Sequence, residues 1–120
     1  MADQHRNSVA FSDLLDDFFA ECDEHLADAR QALLALEREA GERPNRATLD
    51  TLFRAFHALK GIAGMVGLTA AEQQAHQLEE RLRLLRDEQQ ALTPATLVAL
   101  ESDARALEQT IAVFQNGADA

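Results

Sequence analysis

A histidine followed one helical turn later by a lysine is a pair able to carry out phosphoryl chemistry. Here the pair is His57 and Lys60, within Ala55-Phe56-His57-Ala58-Leu59-Lys60-Gly61-Ile62-Ala63-Gly64-Met65-Val66-Gly67. Neutral imidazole is a nucleophile near pH 7. An ammonium nearby can offset the charge of a transferred phosphoryl group. On spacing alone the signal is weak, because most surface histidines do nothing.

The glycines sharpen it. A glycine inside a helix costs roughly 1 kcal/mol relative to alanine, and this chain is rich in alanine. Gly61 and Gly64 therefore mark a place where a missing side chain is useful, for tight packing or for close approach by another molecule. On a wheel of about 100° per residue, Leu52, Phe56, Leu59 and Ala63 cluster on one face. Gly64 and Gly61 fall within about 20° and 40° of His57 on the other. The expectation is an exposed histidine above a bare docking strip. The plainer alternative is that the glycines accept a neighbouring helix or the N-terminal segment.

Other chemistry-bearing residues weigh less. His5 and His25 read as inert, and Cys22 falls on an apolar stripe as a buried hydrophobe. Bundle metal sites use inward Glu-x-x-His pairs. No Glu stands three residues before His25, His57 or His76, so no metal is expected. The acidic run from Asp13 to Asp17 reads as a solvated helix start. His76, by itself, reads as a solvated residue among Glu72, Glu80 and Arg83; Glu79 lies nearer the apolar face.

Four elements must position these residues. Leu15, Phe19, Cys22, Leu26, Ala29, Leu33 and Leu36 alternate steps of four and three, one stripe down a helix starting near Ser12. Gly41-Glu42-Arg43-Pro44-Asn45 stops it and offers caps for the next. The second helix carries Leu49, Leu52, Phe53, Phe56, Leu59, Ala63 and Val66 and ends at Gly67. Thr69-Ala-Ala-Glu72 reads as a capping box opening the third, with Ala71, Ala75, Leu78, Leu82 and Leu85 inward. Thr93-Pro94 opens the fourth, which runs through Leu97, Leu100, Ala104, Leu107, Ile111 and Phe114 to a stop at Asn116-Gly117. Short loops between four amphipathic helices imply an all-α, antiparallel up-down-up-down four-helix bundle. Residues 1–9 read as a disordered tail, 10–116 as the bundle and 117–120 as a second tail.

Composition agrees. The 120 residues include 23 Ala and 18 Leu against 4 Val and 2 Ile, with neither Tyr nor Trp, which favours helix over strand. The size fits one domain. A formal charge of −10 argues against nucleic acid and anionic membranes as partners. One cysteine forms no internal disulfide. No apolar run approaches a membrane span, and the N-terminus lacks the features of a signal peptide. The expected location is the cytoplasm.

The segment from His57 to Leu68 closely resembles the phosphoacceptor segment of histidine phosphotransfer (HPt) domains, and is most similar to the N-terminal HPt domain of CheA-type chemotaxis histidine kinases. Leu52-Phe53-Arg54-Ala55-Phe56 and Ala75-His76-Gln77-Leu78-Glu79-Glu80-Arg81-Leu82 are similar to the flanking parts of that group, and the resemblance extends over roughly residues 11 to 115. Ile62, where the family often has a small residue, and Leu68, in place of a frequent Phe, depart from it without touching the chemistry.

The resemblance implies that His57 is the phosphorylated residue, Lys60 the nearby charge, and Gly61 and Gly64 the docking strip. It implies that Glu79 holds the Nδ1 proton of His57 and that His76 joins the same network. A carboxylate at Nδ1–H would fix the tautomer and leave Nε2 as the nucleophile. The implied partners are a histidine kinase catalytic domain, which binds ATP and Mg²⁺, and a response-regulator receiver domain. With no Gly-rich nucleotide loop the domain itself is expected to bind no cofactor and to act as a carrier. Its context is the N-terminal part of a CheA-type kinase or, alternatively, a stand-alone phosphorelay protein; a four-helix adaptor without chemistry is the rival from another class.

Overall fold

The computed structural model describes residues 2–39, 43–88 and 91–119, with side chains for 11–39, 43–87 and 91–117. Its four helices are α1 (Ala2–Arg38), α2 (Arg46–Met65), α3 (Thr69–Glu88) and α4 (Pro94–Asp119). Each packs against its sequence neighbours, and α1 closes the ring against α4. The pairing of Arg30 with Glu108 and of Phe18 with Phe114 runs α1 antiparallel to α4. The expected up-down-up-down bundle is the observed one.

The apolar stripes meet as their spacing requires. Leu36, Leu52, Phe56, Ala71, Ala75, Leu78, Leu92, Leu100 and Leu107 are wholly buried, and each leucine or phenylalanine among them contributes about 1.5–3 kcal/mol by leaving water. Cys22 lies among them, and burial, with Asp23 and Glu21 adding to it, pushes its thiol up to about 12. Phe53, read as a core residue, is only half-buried.

The boundaries differ from expectation in three places. α1 begins at Ala2, not near Ser12, so residues expected as a tail are helical; that stretch contains no Gly or Pro to stop the turn from propagating. α4 likewise runs through Asn116-Gly117 to Asp119, because Gly117 does not take the left-handed conformation that would end the helix. The third concerns the start of α3. Gly67 takes φ 76°, its amide donates to the Gly64 carbonyl (3.2 Å), and the Leu68 amide donates to that of Ala63 (2.9 Å). This is a Schellman motif. It leaves the Leu68 carbonyl to accept from the Glu72 amide (3.1 Å), while the Thr69 amide is already engaged by Gly67 (3.0 Å). The Thr69–Glu72 capping box therefore does not form.

Two other caps follow the sequence. The Ala47 amide donates to Oδ1 of Asn45 (2.8 Å), and the Thr96 amide donates to Oγ1 of Thr93 (3.1 Å). Gly41 and Glu42, expected in the first loop, lie outside the described residues.

Candidate functional site

The site is built on α2 and α3, which the Schellman turn sets side by side. Burial of Phe56 and Leu59 rotates His57, between them in sequence, onto the outer surface, where its side chain is 63% exposed. Across the seam, Leu78 and Leu82 anchor α3 in the core and carry Glu79 in with them, 2% exposed. Among the described residues it is the one buried charged side chain.

A lone buried carboxylate would be costly, and Lys60 explains how this one persists. Its ammonium lies 2.9 Å from Oε1 of Glu79 and donates a hydrogen bond to Oε2 at 3.2 Å. The shorter approach is an ion-pair contact with a poor angle, so Oε1 accepts no well-formed hydrogen bond. Above the same carboxylate sits Nδ1 of His57, 3.4 Å from Oε1 and 3.5 Å from Oε2. A proton on Nδ1 points at an acceptor with unused capacity, and Nε2 is left with its lone pair. The separation is long for a hydrogen bond.

Thus His57, Lys60 and Glu79 come together, while His76 does not join them. It is exposed, and it lines a groove of about 560 Å³ with Lys60, Gly61, Glu72, Gln73 and Gln77. The two glycines also part company. Beyond the adjoining backbone of its own helix, no atom lies within 4 Å of the place a Cβ would take at Gly61. At Gly64 that place is held by Oε2 of Glu72. The bare strip is therefore open at Gly61 and covered by a flexible carboxylate at Gly64.

Phe53, beside His57, was not legible as a site residue, nor were the two arginines that flank its ring. The Phe53 ring is parallel to the imidazole within 8°, with centroids 6.1 Å apart. The guanidinium groups of Arg83 and Arg86 stand 5.9 and 5.3 Å from the Phe53 centroid. The available signal was spacing. Phe53 precedes His57 by four residues, and Arg83 and Arg86 follow Glu79 by four and seven, so both sets share one helix face.

Fold and site together define a helical-bundle domain that presents an imidazole to solvent, with its inner nitrogen over a buried carboxylate paired with a half-buried ammonium. The chain belongs to the Hpt domain family, whose pattern matches residues 13–112. Hpt domains perform histidine phosphotransfer in phosphorelay signalling and generally engage kinases and receiver domains. No curated protein and no solved structure matches the chain significantly.

Proposed function

We propose that His57 is the phosphoacceptor of this domain and that it passes the group to a receiver-domain aspartate. The observation that carries the reading is the Nδ1 atom of an exposed histidine resting 3.4 Å from a buried carboxylate. Glu79 holds the Nδ1 proton, so Nε2 attacks the γ-phosphorus of ATP held with Mg²⁺ by the kinase domain. The bond from phosphorus to the β,γ-bridging oxygen breaks and ADP leaves. Nδ1 keeps its proton throughout, and Glu79 offsets the positive charge that the phosphorylated ring acquires. In the second step a receiver carboxylate oxygen attacks the same phosphorus. The P–N bond breaks and its electrons return to Nε2.

Lys60 sits between Glu79 and the groove, where it neutralises the buried carboxylate and lies within reach of the phosphoryl oxygens. Partners dock over Gly61, with Gly64 and His76 at the edge of the contact and the Glu72 side chain moving aside. The likeness of the His57–Leu68 segment to CheA-type sequences supports placing the domain at the N-terminus of such a kinase, in the cytoplasm. The chain supplies substrate and carrier, and its partners supply the ATP site.

Incubation with a CheA-type kinase module and ATP should add one phosphate, labile to acid and stable to base. His57→Gln should abolish it with the helical circular dichroism unchanged. Labelling that persists in the variant would move the acceptor elsewhere.

A further inference from the structure

His57 is not equally open on its two sides. One turn toward the C-terminus of α2 the open position at Gly61 follows it; one turn toward the N-terminus stands the parallel ring of Phe53. Phe53 is itself held. Arg83 pairs with Glu80 at 2.7 Å, and Arg86 pairs with Asp87 at 3.2 Å and approaches Asp50 to 3.8 Å. With both guanidinium groups over its centroid, the ring has favourable cation–π contacts along the α2–α3 seam.

We propose that Phe53, clamped by Arg83 and Arg86, is a positioning residue for phosphoryl transfer at His57. An exposed imidazole on a helix samples several χ1 and χ2 wells. Only some of them keep Nδ1 over Glu79 and Nε2 toward solvent. Glu79 attracts one edge of the ring through a long contact, too weak to fix the ring plane by itself. Phe53 supplies the missing constraint, a parallel wall at a separation within the range of aromatic pairs. It narrows the orientations of the imidazole and confines the approach of a donor to the Gly61 side. The salt bridges of Arg83 and Arg86 keep the wall upright, so the effect weakens as ionic strength rises.

This rests on the phosphoacceptor reading of His57, and the test separates the two. Phosphoramidate is the probe: Nε2 attacks its phosphorus, the P–N bond to nitrogen breaks, and ammonia leaves. A donor this small needs no docking surface, so its rate reports on the imidazole. Phe53→Leu keeps an apolar residue at a half-buried position and removes the flat ring. It should slow phosphoramidate transfer by roughly tenfold, within the range that lost orientation costs, with the melting temperature little changed. Nitrogen-15 and carbon-13 spectra of the His57 ring should show mixed rotamers and a weaker preference for the Nδ1–H tautomer. Phe53→Tyr should restore both, and Arg83→Gln with Arg86→Gln should fall between. A Phe53→Leu protein with parental rotamers, tautomer and rate would overturn the proposal while leaving the phosphoacceptor intact. If the parent protein forms no phosphohistidine with either phosphoramidate or the kinase, the reading of His57 itself fails.

Discussion

Glu79 and Lys60 form an unequal pair, and the inequality makes their removal distinguishable. Glu79 is almost wholly buried, whereas Lys60 keeps 28% of its side chain in water. In Lys60→Ala the carboxylate is left buried with the histidine as its only neighbour of potential opposite charge. Breaking a buried pair in this way costs about 3–5 kcal/mol. In Glu79→Ala the ammonium can turn to solvent, so the loss of stability should be smaller. The kinetic order is the reverse. Glu79→Ala removes the acceptor for Nδ1–H and should slow phosphoryl gain by roughly 10- to 100-fold, the scale of effects exerted through an orienting partner. Lys60→Ala should retain the tautomer and lose less rate with phosphoramidate. Thermal melts, nitrogen-15 spectra and transfer rates on both variants check the crossing; a Glu79→Ala protein with parental rate and tautomer would remove Glu79 from the site. His57, Lys60 and Glu79 were legible from the sequence through one resemblance. The ion pair between the last two was not, because the register of α2 against α3 is set by tertiary packing.

At the scale of the elements, the turn between α2 and α3 brings the two helices side by side. Gly67 occupies a left-handed conformation that a Cβ makes costly by about 1–2 kcal/mol. Gly61 is helical and faces open space, where alanine recovers up to about 1 kcal/mol of helix propensity. Gly67→Ala should therefore lower the melting temperature and Gly61→Ala raise it, although both are the same substitution within one short stretch of chain. A fall for Gly61→Ala would show that the position is not open. The apolar periodicities identified all four helices, since burial is what a period of 3.6 records. The α3 cap was misread for a physical reason. A Thr-x-x-Glu sequence can box only if its first amide is unclaimed, and the Thr69 amide donates instead to the carbonyl of Gly67. Once released from capping, Glu72 lies across to Gly64.

Over the whole molecule, α1 outruns its partners. Its 37 residues make a rod of about 55 Å, against about 30 Å for the 20 residues of α2. That excess stretches the molecule to 60 × 23 × 20 Å. The apolar stripe of α1 emerges as it leaves the bundle, from Phe18 at 4% exposed to Leu14 at 42% and Phe11 at 57%. A chain beginning at Ala10 should keep its melting temperature within about 2 °C and lose only helical signal, because a solitary helical end adds little stability. A clear fall in the melting temperature would place part of the first nine residues against the bundle. The backbone of residues 2–9 is helical where a disordered tail was expected, since the sequence there holds no breaker to mark an end.

The short turn at Gly67 has one further consequence. Among the described residues, the contacts that join His57, Glu79, Lys60 and Phe53 all lie within a single uninterrupted hairpin, while α1 and α4 pack on its apolar back. The site is thus a cassette. Copied by recombination between genes, that hairpin would carry His57, Lys60, Glu79 and Phe53 into a new bundle in one event, leaving the outer helices to diverge toward whichever host protein received it.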